Sequence, residues 1–258
     1  MTDRKSLQTT NYEPRTTNQR ATRANEPAFV YFDLDDTLLD HRTAEKNALA
    51  DVRAAFPDAF DGITAAQVQQ VYHQHNELLW ERYSDGEIEK EELKRLRIEQ
   101  MLETLAVDGV APERIGAHYI ERYTHHWTPT DGAFDAFERV ADRFPVGLLT
   151  NGFSETQHAK IERFPVLAER AETVVVGEET GFLKPDARVF ARAAELASSA
   201  PTATLYVGNS LRSDVEGGLG AGWQVAWYTP YGLNGETPPQ SDRLFRFETW
   251  PQLTNWLL

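Results

Sequence analysis

The stretch Phe32-Asp33-Leu34-Asp35-Asp36-Thr37-Leu38 decides how this chain reads. It follows Pro27 and the run Ala28-Phe29-Val30-Tyr31-Phe32, whose β-branched and aromatic residues predict a short buried strand. Asp33 and Asp35 then stand two residues apart where the strand ends, so both can face the crevice at its carboxyl edge. Open α/β sheets bind their ligands in that crevice. Two carboxylates ~4 Å apart repel by about 4 kcal/mol at an effective dielectric of about 20. Such a pair is expected to hold a proton or a cation between its members. The alternative is a hairpin tip with two solvated aspartates, and a strand this apolar argues against it.

With 258 residues, the chain is long enough for one large domain or for a core with an insertion. Its hydrophobic content of 41% is ordinary for a globular protein. No apolar run approaches the ~18 residues of a membrane span, and the N-terminus lacks the apolar stretch of a signal peptide. Cysteine is absent, which removes disulfides, thiolate nucleophiles and cysteine zinc sites and fits a reducing cytoplasm. The net charge of −14 argues against partnership with nucleic acid or a membrane surface, both of which are anionic. A small phosphorylated substrate remains compatible, because it meets local charges rather than the net one. The expected protein is cytoplasmic, a monomer or a homodimer.

Residues 1–26, rich in Thr, Asn, Gln and Arg, predict a flexible tail. About ninety helical residues follow the aspartate-rich turn. Thr43 to Phe56 opens the series, and Thr64-Ala-Ala-Gln67 is a capping box for the next helix. Gly86 interrupts it, Ile88 to Leu105 form a third, and Pro112 starts a fourth. From Asp131 the pattern changes to strands at Val146–Thr150, Thr173–Val176, Thr204–Val207 and Gln224–Tyr228, alternating with helices. Ser154-Glu-Thr-Gln157 is expected to be a second capping box. This alternation predicts a mostly parallel sheet covered on both faces. The expected division is a core of residues 27–41 and 129–258 with an all-helical insertion at 42–128.

Three further polar clusters fall at predicted strand ends, on the same edge as Asp33. They are Thr150-Asn151-Gly152, the loop Gly181-Phe-Leu-Lys184-Pro185-Asp186, and Gly208-Asn209-Ser210-Leu-Arg-Ser-Asp214. Each alone reads as a loop or a helix cap. Four in this order resemble the four motifs of the haloacid dehalogenase-like superfamily of hydrolases. The helical block after the first motif resembles that superfamily's C1 cap, and the likeness runs from about residue 28 to the end. The phrases Leu79-Trp80-Glu-Arg-Tyr-Ser-Asp-Gly86 and Thr150-Asn-Gly-Phe-Ser-Glu-Thr-Gln157 are most similar to the pyrimidine 5′-nucleotidase branch, with N-acylneuraminate-9-phosphatase a near relative.

The resemblance implies a Rossmann-like α/β core and a Mg²⁺-dependent phosphomonoesterase acting on a small phosphorylated substrate, a nucleotide first. Asp33 becomes the nucleophile that forms an aspartyl-phosphate, and Asp35 the acid and base for leaving group and water. Mg²⁺ is expected on Asp33, the backbone carbonyl of Asp35, Asn209 and Asp214. Thr150 and the Asn151 N–H are expected on phosphoryl oxygens, with Lys184 neutralising the carboxylates. Asp36 and Thr37 are assigned to the turn. Asn209 departs from the pattern, since an acid usually follows that glycine; weaker metal binding is the expected result. His41 at the start of the insertion, and Trp80 and Tyr83 within it, are candidates to touch the leaving group. Haloacid dehalogenation is the competing chemistry on this fold, but a halide leaving group needs no second aspartate. A binding protein with a weakened metal site is the non-enzymatic alternative.

Overall fold

The computed structural model describes residues 26–233 and 235–258, so the expectation for the N-terminal tail lies outside the described residues. Six parallel strands form one sheet in the order β3-β2-β1-β4-β5-β6. They are β1 (Phe29–Phe32), β2 (Val146–Thr150), β3 (Ala171–Val176), β4 (Thr204–Gly208), β5 (Gln224–Tyr228) and β6 (Leu244–Phe247). Every residue of β1, β2 and β4 is buried, as central parallel strands require. Along β1 the side chains alternate: Val30 and Phe32 join one core layer, Phe29 and Tyr31 the other.

The helices are α1 (His41–Ala55), α2 (Ala65–Ser84), α3 (Lys90–Thr104), α4 (Pro112–His125), α5 (Ala133–Ala141) and α6 (Ser154–Arg163). They continue with α7 (Pro165–Arg170), α8 (Gly177–Thr180), α9 (Ala187–Leu196), α10 (Gly217–Gly220) and α11 (Trp250–Leu257). Helices α5 and α11 cover one face of the sheet through Phe137, Val140 and Leu253, and α9 covers the other through Val189 and Phe190. Helices α1 to α4 stand between β1 and β2 and share a separate core of Leu49, Val52, Tyr72, Met101, Ile115 and Tyr119. The chain enters and leaves this helical block side by side: Asp40 N donates to Thr128 O and Thr130 N to Leu38 O.

Chain order reverses between the neighbouring strands β1 and β4, so the crevice opens at their carboxyl ends. Asp33 and the loop after β4 flank it directly. The capping box at Thr64 and Gln67 forms as expected. Strand β6 was not anticipated, being an edge strand with only Phe247 fully buried. The helical stretch after β4 is two pieces, a wide turn over Leu211–Glu216 and then α10.

Candidate active site

Asp33 is the first residue past β1, yet its N–H still donates to Val207 O of β4 at 2.9 Å. That bond fixes where its side chain starts. The residue is 6% exposed and lines a cavity of about 240 Å³ between the sheet edge and the helical block. Oδ1 of Asp33 accepts from Lys184 Nζ at 2.9 Å, while Oδ2 has no partner among the described residues and is left for the cavity. Lys184 Nζ donates also to Asp214 Oδ1 at 2.7 Å and to the Tyr206 hydroxyl at 2.5 Å. Burial pushes the Asp33 carboxyl up to about 7, with Lys184 pulling it back and Asp214 adding to the rise. Burial also opposes the charge on Lys184, but Asp214 and Asp33 outweigh it and hold the ammonium above its usual range.

The remaining clusters serve this arrangement. The Asn151 side chain clamps the Lys184 backbone from both sides, Oδ1 accepting from Lys184 N and Nδ2 donating to Lys184 O, each at 2.7 Å. Asp214 is fully buried, and its Oδ2 accepts from Ser210 N at 2.9 Å. Gly208 is required there, because a Cβ would fall 2.4 Å from Asp214 Oδ2. Thr150 is buried at the end of β2 and lines the cavity.

The Asp33 and Asp35 side chains each have a lysine of their own. Asp35 Oδ1 accepts from Lys160 Nζ at 2.5 Å and Oδ2 from Gln157 Nε2 at 2.7 Å. Burial raises the Asp35 carboxyl, but Lys160, then His41 and Gln157, more than reverse it and hold it at about 2. Lys160 is itself buried, its Nζ 5.3 Å from the Tyr123 ring centre and 5.7 Å from that of Trp127. The capping box expected at Ser154 and Gln157 is therefore corrected. Phe153 holds the N-cap position and Ser154 is already helical. The charge-assisted bond to Asp35 takes the Gln157 amide, while Ser154 Oγ donates to Glu179. Gly152 leaves the space, since a Cβ would overlap Gln157 Nε2. Sequence reasoning missed Gln157 and Lys160 as site residues. Their spacing of three on one helix face, just after Thr150-Asn151-Gly152, was the available signal.

Asp36 has a positive φ of 55° and its Oδ1 accepts from Arg42 N at 2.8 Å, so it shapes the turn. Thr37 reaches further than its own turn: its hydroxyl donates to Asn209 Oδ1 at 3.2 Å. His41 lies inside α1 and lines the cavity, hydrogen-bonded through Nδ1 to the Tyr123 hydroxyl at 2.7 Å. Trp80 also lines the cavity, but one ring face stacks on Phe153 at 4.8 Å between centroids. Tyr83 is not among the lining residues; its ring packs edge-on against Trp80 and Phe153.

For a divalent cation, the oxygen donors on the loops after β1 and β4 are the Asp33 carboxylate, the Asp35 carbonyl and Asn209 Oδ1. Mg²⁺ takes oxygen ligands and keeps several waters, so a donor set this small fits it. The Asp214 oxygens accept from Lys184 Nζ and Ser210 N, and Asn209 Oδ1 accepts from the Thr37 hydroxyl. No group of three or more His, Cys, Asp or Glu side chains suited to a metal converges among the described residues.

Residues 29–222 match the haloacid dehalogenase-like hydrolase family. Pyrimidine 5′-nucleotidase YjjG of Escherichia coli is 30% identical over 200 residues, covering 77% of this chain and 84% of its own. Phosphoserine phosphatase of Thermus thermophilus is 31% identical over 235 residues, covering 83% of this chain and 93% of its own. The magnesium-bound structure of the HAD-hydrolase YfnB from Bacillus subtilis superposes with a TM-score of 0.76 at 27% identity, over 90% of this chain and 99% of that one.

Proposed function

Since the chain belongs to the haloacid dehalogenase-like hydrolases, we propose that it is a Mg²⁺-dependent phosphomonoesterase acting through an aspartyl-phosphate, with nucleoside 5′-monophosphates as substrates in the cytoplasm. One observation carries the reading. Asp33 keeps one oxygen on Lys184 and the other toward the cavity, with Asp35 beside it on a separate lysine. Asp33 Oδ2 attacks phosphorus in line as the bond to the leaving oxygen breaks. Asp35 protonates that oxygen, then takes a proton from the water that cleaves the acyl-phosphate. Asp35 is ionised at rest, and the arriving phosphate, a like charge, opposes the pull of Lys160 and raises it toward its acid role. Thr150 and the Asn151 N–H bind phosphoryl oxygens, and Lys184 balances the charge they bring. Mg²⁺ on Asp33, Asn209 and the Asp35 carbonyl would offset the repulsion between carboxylate and phosphate. The helical block acts as the cap that closes over the leaving group.

The presence of Asp35 speaks against haloacid dehalogenation, whose leaving group needs no proton. A screen of phosphate release over nucleotides and sugar phosphates, with and without Mg²⁺, tests the reading. Release that needs Mg²⁺ and favours UMP, dUMP or dTMP over glucose phosphates and phosphoglycolate is expected. A sugar acid phosphate as the preferred substrate moves the assignment toward the N-acylneuraminate phosphatases. Halide release from 2-haloacids, with no phosphate release at all, overturns it.

A further inference from the structure

All three N–H groups of the Lys184 ammonium are taken by protein partners. They go to Asp33 Oδ1 at 2.9 Å, Asp214 Oδ1 at 2.7 Å and the Tyr206 hydroxyl at 2.5 Å. The two carboxylates balance the charge. The third partner is neutral and comes from the middle of β4, where its side chain is fully buried. The strand reads Thr204-Leu-Tyr-Val-Gly208, and a hydroxyl buried among such neighbours is unfavourable unless it is hydrogen-bonded. Packing does not ask for one. The ring meets Phe190 and Trp223 edge-on, contacts that a phenylalanine would make as well.

The hydroxyl is aimed at the ammonium instead. Its own proton has two acceptors, Leu149 O at 2.8 Å and the Asp214 carboxylate. Either choice leaves an oxygen lone pair for Lys184. Leu149 belongs to β2 and precedes Thr150, so Tyr206 reaches from β4 across β1 to the strand that ends at Thr150. Without the hydroxyl, the third N–H of Lys184 is free to turn to the other Asp33 oxygen, the one that faces the cavity, or to a phosphoryl oxygen placed beside it. A bond to that Asp33 oxygen occupies the lone pair that attacks phosphorus. A bond to bound phosphate steadies the ground state, which does not speed the reaction.

We propose that Tyr206 is a positioning residue: by taking the third N–H of Lys184 it keeps the ammonium on one Asp33 oxygen and leaves the other for the reaction. This rests on the phosphomonoesterase reading above. The test compares Tyr206→Phe with wild type on p-nitrophenyl phosphate and UMP, and measures inhibition by inorganic phosphate. Losing an outer partner of a reacting group lowers activity by about tenfold or more, and kcat on both substrates should fall by that much. The inhibition constant of phosphate should stay level or fall, because the freed N–H does not weaken ground-state binding. A kcat within about twofold of wild type would make the hydroxyl a packing detail and overturn the proposal. So would a parallel loss of turnover and phosphate affinity, the mark of a loosened site. Nitrogen-15 spectra of the lysine ammonium groups give a readout that needs no catalysis, with the Lys184 signal identified by its loss in Lys184→Arg. Slow proton exchange is expected in wild type and fast exchange in Tyr206→Phe. Fast exchange already in wild type, or slow exchange in both, ends the proposal. If wild type releases no phosphate from any substrate, the phosphatase reading fails by itself, and the exchange rates alone decide whether Tyr206 holds Lys184.

Discussion

The two walls of the cavity handle buried charge in opposite ways. On the sheet edge every buried ionic side chain is paired: Lys184 lies between Asp33 and Asp214, and Lys160 holds Asp35. On the helical wall Arg97 and Asn76 keep unsatisfied atoms. The ion pairs of that edge are in place before substrate arrives, as preorganised chemistry requires. Under the phosphomonoesterase proposal the helical wall is the side that meets the leaving group. The same core can then serve many leaving groups while the inserted helices choose among them.

The largest effect should come from breaking the paired wall. Lys184→Met leaves Asp33 and Asp214 as neighbouring buried carboxylates without their shared cation, a loss of about 3–5 kcal/mol of stability. Urea unfolding checks this. Lys160→Met should cost clearly less, because the Asp35 side chain is 28% exposed against 9% for that of Asp33 and 0% for that of Asp214. Equal losses would mean that the two lysines are not the separate supports described here.

Asn209→Asp sharpens the same wall by adding a charge where the structure has an amide. The Mg²⁺ concentration for half-maximal phosphate release should fall, with about 1.4 kcal/mol of added metal affinity read as a tenfold drop. An unchanged requirement would place Asn209 outside the metal shell.

Trp80→Ala probes the helical wall. Trp80 stacks on Phe153 yet lines the cavity, so its loss should raise KM for UMP more than for p-nitrophenyl phosphate. Equal losses on both would make it a packing residue alone.

The seam between the walls should give the smallest effect. Lys90 and Lys94 of the helical block hold Glu155 at 2.5 and 2.9 Å, and Lys90 also meets Glu178 at 2.9 Å. Burial raises the Glu155 carboxyl, but the two lysines more than reverse it and bring it to about 2, below its usual value of 4.5. A depressed folded-state value gives stability that is full above pH 4.5 and is lost as pH falls toward 2. Glu155 is half exposed, so solvent screens the gain, and Glu155→Gln should cost under about 1 kcal/mol near neutral pH. The difference should shrink in high salt and vanish in acid. Thermal unfolding at several pH values measures it.

What the sequence made legible follows from how local each signal is. An apolar run that ends in a polar cluster fixes a strand and its carboxyl edge, and Asp33, Thr150, Lys184 and Asp214 were readable for that reason. The four helices of the insertion announced themselves by periodicity, a capping box and Pro112. Strand β6 did not, because Leu244-Phe-Arg-Phe247 at a half-exposed edge carries little pattern. The Ser154–Gln157 signature was real in composition but lost to a stronger partner, the Asp35 carboxylate, which lies 122 residues away in sequence from Gln157. Arg97 was hidden most completely. In Lys90-Glu-Glu-Leu-Lys-Arg-Leu-Arg97 it reads as one more solvated charge, and only the packing of three helices buries it.

The most direct test of the central claim is phosphate release by Asp33→Asn on UMP at saturating Mg²⁺. An amide is nearly isosteric and keeps the place of Asp33 beside Lys184, but it cannot form the acyl-phosphate. Release at background level is the predicted result. Turnover above about a tenth of wild type would contradict a covalent route through Asp33.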